Sequence, residues 1–268
     1  MSDPAWLTIA EAAGQIKARK LSPVEYTQAL IARVEKHDGA LNAFLRFTPD
    51  LALRDAREAE AQIVRGEYKS PLHGVPYGLK DIIDYSGLPT TAHSKILQDN
   101  IVAIDAVVAA KLKAAGGVFM GKLSTHEFAT GGPSFDLPWP PARNPWNRNH
   151  FCGGSSSGSG AATAAGFLPA ALGTDTGGSV RNPASMCGVV GLKPSYGLVS
   201  RRGVVPLSFS LDHVGPLTRT VMDNAILLNL IAGHDAADPG SAERPATDYT
   251  RGLMDGVKGL RIGLLRHF

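Results

Sequence analysis

Residues 151 to 179 read FCGGSSSGSGAATAAGFLPAALGTDTGGS, with no charged side chain until Asp175 and with glycine, serine and alanine filling most positions. A flexible linker, a phosphate-binding loop, a membrane span and a catalytic centre could each be written this way. A membrane span fails because serine and glycine dominate the first half and Pro169 interrupts the second. A linker fails because GSGAATAAGFLPAALG runs straight into small, packable residues. A phosphate loop needs a lysine after its last glycine, and none follows; a dinucleotide loop needs GxGxxG between a strand and a helix, whereas Gly153 onwards gives G-G-S-S-S-G-S-G.

Two catalytic readings are left. Gly154-Ser155-Ser156-Ser157-Gly158 matches the GxSxG nucleophile elbow centred on Ser156, with Asp212 and His213 available as partners. An elbow follows an apolar strand, however, and this one follows NPWNRNHFC. The second reading is GTDTGGSVRNP, where Ser179 comes after two glycines and before a segment able to start a helix. There the backbone N–H groups of Thr176 to Ser179 could converge on one point, as in an oxyanion hole, or could form only a tight turn and helix cap.

The surrounding chain has 268 residues, 44% hydrophobic and 19% charged, and a net charge of +3 too small and dispersed to indicate direct nucleic-acid binding. Cys152 and Cys187 cannot make a disulfide framework, and no CxxC or HExxH spacing offers a metal site. The N-terminus lacks the basic and apolar regions of a secretion signal, so a reducing, cytoplasmic setting is expected. The first seventy residues read as a helical front end. Thr8 with Glu11 and Ser22-Pro23 with Glu25 are capping-box patterns, and Thr48-Pro49 opens a third helix that stops at Gly66. From His73 the texture becomes an α/β rhythm: VPYGLKDII as strand, DAVVAAKLKAAGG as helix, VFMGKL as strand. Further strands are expected at Leu168–Leu172, Gly188–Leu192 and Leu260–Leu265, and helices at Gly160–Gly166 and Thr220–Ile231. Residues 132–150 read as an irregular loop, and 234–248 as a surface crossing. The expected fold is α/β, a mixed central sheet flanked by helices. It forms one domain over 1–268, with a helical segment at 1–70 and a core at 71–268.

The run GGSSSGSGAATAAGFLPAALGTDTGGSVRNPASMCGVVGLKPSYGLVSRRG resembles the defining region of the amidase signature family, and the resemblance extends to HGVPYGLKDII, GKLSTHEFATGG, RNPWN and SLDHVGPLTRTV. It implies a Ser-Ser-Lys triad: Ser179 as acyl-forming nucleophile, Ser155 as bridging serine after a cis Gly154–Ser155 peptide, and Lys80 as base. It also implies an oxyanion hole from the backbone of Thr176, Gly177 and Gly178, and no metal or organic cofactor. Asp175 and Arg181 bracket the nucleophile and either pair structurally or orient its loop. Lys80 beside Asp81 would otherwise read as a surface ion pair, and Cys152, Cys187, His126 and His213 read as structural.

The implied activity is hydrolysis of a small carboxamide through a serine acyl-enzyme. Two alternatives stay open: the glutaminase component of a tRNA-dependent amidotransferase, which needs protein partners, and an amidase-like fragment that only binds. His213 in SLDHVGP, where the glutaminase component usually has glutamine, favours a free-standing amidase. Family members normally continue past a KGLRIGLLR-like strand, so a truncated core is expected at Phe268. Assembly into homo-oligomers is left open.

Overall fold

Local chemistry sets the front end. In the computed structural model, which describes residues 3–245, 247–264 and 266, α1 (Ile9–Lys17) starts at a complete capping box. The Glu11 N–H donates to Thr8 Oγ1 at 3.1 Å, and the Thr8 N–H donates to Glu11 Oε2 at 2.9 Å. Ile9, Ala12, Ala13 and Ile16 form its buried stripe. At the start of α2 (Pro23–His37), Ser22 Oγ accepts the N–H groups of Val24 and Glu25, both at 3.1 Å. The box is one-sided there, with no Glu25 side-chain bond back to the Ser22 N–H among the described residues, and the Ser22 hydroxyl donates to Glu60. The third helix, α3 (Pro49–Val64), has proline in its first turn, but Thr48 makes no capping bond.

The front end is not purely helical. Phe44–Phe47 forms a strand, β1, that pairs antiparallel with the edge of the sheet. The core then contributes β2 (Pro76–Lys80), α4 (Val107–Ala114), β3 (Val118–Leu123), α5 (Ser157–Ala164), β4 (Ala170–Asp175), α6 (Arg181–Cys187), β5 (Val190–Gly191), β6 (His213–Thr218) and α7 (Val221–Ile231). The six strands lie in the order β1-β3-β2-β4-β6-β5. Strands β3, β2 and β4 run parallel; β1 and β6 run antiparallel to their neighbours.

Three readings change. The expected strand at Gly188–Leu192 shortens to two residues, and the helix expected from Gly160 begins at Ser157. Residues 260–264 form no strand and expose Leu260, Ile262 and Leu264; Leu265 lies outside the described residues. No strand among the described residues pairs with this segment. Residues 132–150 are irregular, as expected.

The small residues of the opening stretch now have a physical reason. Helix α5 runs so close to its neighbours that a Cβ on Gly158 would lie 2.3 Å from the Ala43 carbonyl oxygen and 2.4 Å from the Ser124 nitrogen. One hydrophobic cluster joins the front end to the core, from Ile9, Tyr26 and Leu30 to Phe119, Leu172 and Leu227. Polar ties add to it: Asp223 on α7 accepts the Ala10 N–H at 3.1 Å, and Arg219 donates to the Leu7 carbonyl at 2.6 Å. No helix among the described residues is long and apolar enough to cross a membrane.

Candidate active site

Strands β2 and β4 are parallel neighbours whose onward connections leave in opposite directions, β2 to β3 on one side and β4 past β6 on the other. In an open α/β sheet the crevice at such a switch point, beyond the carboxyl ends of the strands, is where ligands sit. Lys80 is the last residue of β2, and Thr174 and Asp175 are the last two of β4. The topology therefore puts a lysine and a hydroxyl at the mouth of that crevice.

Lys80 is fully buried. Its ammonium lies 2.7 Å from Ser155 Oγ and 2.8 Å from Thr174 Oγ1. The ion pair that the sequence Lys80-Asp81 invites does not form, because successive side chains leave a strand on opposite faces. Asp81 pairs with buried Lys122 at 2.9 Å and accepts the Thr91 N–H at 3.0 Å. Lys80 is left with two neutral hydroxyls. Desolvation lowers its pKa from 10.5 to about 7, with the charges of Asp212 and Asp175 pulling weakly the other way.

Ser155 follows a cis Gly154–Ser155 peptide. Its loop is held by backbone bonds: the His126 N–H donates to the Ser155 carbonyl at 3.1 Å, and the Gly154 N–H donates to Asn182 Oδ1 at 3.0 Å. The next residue ties the two serine loops together, the Ser156 N–H donating to the Ser179 carbonyl at 3.2 Å. Ser155 is buried, while Ser179 is half-buried. The Ser179 hydroxyl makes no hydrogen bond among the described residues. The two serines are thus joined through the backbone and not yet through their side chains.

Asp175 organises the loop that carries Ser179. Its Oδ1 accepts the Gly178 N–H at 2.8 Å and Arg181 Nη2 at 2.9 Å; its Oδ2 accepts the Val180 N–H at 3.1 Å, the Arg181 N–H at 3.3 Å and Arg181 Nε at 3.0 Å. Burial alone would raise this carboxyl, but the Arg181 fork and three backbone donors outweigh it and hold it below its ordinary value. One sequence expectation is altered by this wrapping. Gly178 spends its N–H on Asp175, so of the three backbone donors expected for an oxyanion only Thr176 and Gly177 are free. With Ser179 they are N–H groups that take no hydrogen bond among the described residues. The Thr176 hydroxyl donates to Asp212, which also accepts the Leu207 and Ser208 N–H groups at 2.8 and 2.9 Å.

The competing elbow reading does not survive. Ser156 Oγ is fully buried, donating to the Thr174 carbonyl at 3.2 Å and accepting the Thr174 N–H at 3.1 Å. His213, its supposed partner, lies with Nδ1 2.6 Å from the Leu211 carbonyl and Nε2 3.3 Å from Lys193 Nζ. Cys152 and Cys187 are free, buried thiols pushed up to about 12 by burial, too high for a nucleophilic thiolate.

Three residues that sequence does not assign to the site belong here. Alternation along Gly173-Thr174-Asp175 sends Thr174 and Asp175 to opposite faces, but only the pairing of β4 with β2 brings Thr174 to Lys80. Asn182 carries no local pattern. His126 packs its imidazole so close to Gly154 that a Cβ there would be 2.1 Å from His126 Cε1, and its buried Nε2 has no partner among the described residues.

Known proteins resemble this chain over nearly its whole length. It is 48% identical over 98% of its length to the glutamyl-tRNA(Gln) amidotransferase A-subunit of Anaeromyxobacter sp. (strain K), covering 53% of that protein. The structure superposes on a peptide amidase from Stenotrophomonas maltophilia with a TM-score of 0.86 at 39% identity, covering 92% of this chain and 52% of that one. It superposes on a 6-aminohexanoate cyclic dimer hydrolase with a TM-score of 0.84 at 35% identity, covering 92% and 51%. The chain spans about half the length of the curated relatives it matches. The Amidase family model matches residues 25–268, a span that contains both serine loops and the buried lysine, and the chain belongs to that family, the amidase signature group.

Proposed function

We propose that the chain carries the reaction centre of a serine amidohydrolase that cleaves the C–N bond of a carboxamide through an acyl-enzyme. The observation that carries this reading is Lys80: a fully buried amine facing Ser155 and Thr174 with no carboxylate partner and a pKa brought down to about 7. A neutral amine keeps a lone pair, so Lys80 can donate one N–H to Thr174 and accept the Ser155 proton.

With substrate in the crevice, the Ser155 and Ser179 hydroxyls close into one relay. Ser179 Oγ attacks the amide carbon, its proton passes to Ser155 Oγ, and the Ser155 proton passes to Lys80 Nζ. The tetrahedral oxyanion is met by the free N–H groups of Thr176, Gly177 and Ser179. Lys80 returns the proton through Ser155 to the leaving nitrogen, the C–N bond breaks, and ammonia or an amine departs. Water, deprotonated along the same relay, then hydrolyses the Ser179 ester and releases a carboxylic acid. No residue of this chain is asked to hold a cofactor. The substrate is a small molecule, no direct contact with nucleic acid is required, and two free thiols suit a reducing, cytoplasmic setting.

An ammonia-release assay over a panel of amides tests this. Ser179→Ala should lower the rate by at least about a thousandfold, as expected for loss of a nucleophile; an unchanged rate would remove Ser179 from the role. A fully active Lys80→Ala protein would refute the proton route. A second reading, glutaminase component of an amidotransferase, is favoured by the 48–49% identity to the curated relatives. It predicts glutamine hydrolysis that appears only when the partner proteins are added.

A further inference from the structure

The relay works only if Ser155 Oγ stays within reach of Lys80 Nζ, 2.7 Å away. One buried side chain that the reaction does not use is in contact with the loop that sets this distance. His126 is 6% exposed. Its backbone N–H donates to the Ser155 carbonyl at 3.1 Å. Its imidazole lies against Gly154, where an added Cβ would be 2.1 Å from Cε1 and 2.3 Å from Nε2. One residue therefore touches both members of the Gly154-Ser155 pair, the first by ring contact and the second by a hydrogen bond.

The ring and the backbone of His126 are themselves fixed. Phe151 stacks on the imidazole, with centroids 5.9 Å apart and planes at 30°. The His126 carbonyl accepts Thr125 Oγ1 at 3.0 Å and the Ala129 N–H at 2.9 Å. The Thr125 N–H donates to His93 Nδ1 at 3.4 Å. Two residues before His126, the Ser124 carbonyl accepts the Gly158 N–H at 2.9 Å. The segment that leaves β3 is thus bonded to the serine loop at Ser155 and again at Gly158, the second residue of α5. Burial, and after it the charge of Lys80, lower the His126 pKa, with the Gly131 backbone pulling the other way; a neutral imidazole brings no charge to the relay. Its Nε2 has no partner among the described residues, so the contact with Gly154 is one of shape.

We propose that His126 is a positioning residue for the bridging serine: its ring backs Gly154 and its N–H anchors Ser155, which holds Ser155 Oγ between Lys80 and the nucleophile. The proposal rests on the serine amidohydrolase reading and adds to it a residue that acts through Ser155 without touching the substrate. A misplacement of about 1 Å is enough to cost on the order of 10²-fold in rate.

The test is a double-mutant cycle, with every rate referred to the folded fraction measured by urea unfolding at the assay pH. His126→Ala empties the space beside Gly154 and should lower kcat about 10–100-fold with KM unchanged. In a Ser155→Ala background the same substitution should change the residual rate by less than about twofold, because nothing is left for it to position. His126→Phe refills the space with a flat ring and should regain most of the loss. An unchanged kcat in His126→Ala, equal losses in the two backgrounds, or a His126→Phe protein as slow as His126→Ala would overturn the proposal while leaving the amidase reading intact. If no amide is turned over, the amidase reading fails by itself, and the same cycle is read from the rate at which a sulfonyl fluoride labels Ser179. Labelling slowed about tenfold or more by His126→Ala, and no further in the Ser155→Ala background, supports the proposal. Equal labelling of His126→Ala and wild type, or no labelling of either, overturns it.

Discussion

Replacing Lys80 by methionine keeps a long apolar stem and removes the charge at its end, so the variant isolates the effect of the buried amine on stability. Unfolded, the amine titrates near 10.5; folded, at about 7. A lysine with a depressed folded value binds more protons in the unfolded chain between those limits. Its destabilising effect is therefore full below about pH 7 and fades as the pH rises towards 10.5. At about 1.36 kcal/mol per unit, Lys80 costs the fold about 4 kcal/mol at pH 7 and about 2 kcal/mol at pH 9. Methionine also strands the Ser155 and Thr174 hydroxyls, a loss of about 1–3 kcal/mol each way that does not depend on pH. The difference between variant and wild type, measured by urea unfolding, should thus move by about 2 kcal/mol against the variant from pH 7 to pH 9. Groups common to both proteins cancel in that difference. A difference constant over this range would mean that Lys80 titrates alike folded and unfolded, and would refute a neutral amine at the site.

Other substitutions separate the remaining roles. Ser156→Ala should keep amide turnover while lowering stability by about 1–2 kcal/mol, because the buried Thr174 N–H loses its acceptor; abolished turnover in a folded protein would restore the elbow reading. Gly154→Ala drives a Cβ into the His126 ring and should cost about 1–3 kcal/mol. Adding His126→Ala should recover part of that, and a double variant no more stable than Gly154→Ala would show that the clash is not the cause. Asp175→Asn leaves the Arg181 fork and three N–H groups short of acceptors, with an expected loss of about 2–3 kcal/mol, moderated because the Arg181 side chain is 52% exposed. The Asp175 carboxyl is held below its ordinary 3.8, so its stabilisation is present above that value and lost as the pH falls through the lower folded one. The acid limb of the stability curve should therefore flatten in the variant, which chemical unfolding between pH 2 and 5 would read.

How far the residues foretold this structure can be followed element by element. The helices of the front end were legible because their start chemistry is local: Thr8 with Glu11, and Ser22 before Pro23. Strand β1 was not, since Phe44–Phe47 is four residues between two helices and acquires its identity only by pairing with β3. Strand β6 was hidden by Gly215 and Pro216 in HVGPLT, which argue against a strand flanked on both sides. The Pro216 carbonyl turns towards the short β5 side, accepting the Leu192 N–H at 3.2 Å. Its missing N–H therefore falls on that side and leaves the β4 ladder unbroken. For the site, GTDTGGS drew attention to Ser179, but it was the resemblance to the amidase signature family that put Lys80 and Ser155 beside it. Sequence could not place Thr174 against Lys80, send Asp81 to Lys122, or commit the Gly178 N–H to Asp175. Those depend on strand neighbours and loop closure, which no local pattern encodes.

The central claim is that Ser179 is acylated by a relay whose base, Lys80, is neutral near physiological pH. The most direct measurement is the pH dependence of single-turnover modification by a sulfonyl fluoride, read by mass spectrometry of the peptide containing Ser179. One adduct is expected, on Ser179, forming with a midpoint near the Lys80 value of about 7. An adduct on Ser155 or Ser156, or a midpoint near the ordinary lysine value of 10.5, would contradict it.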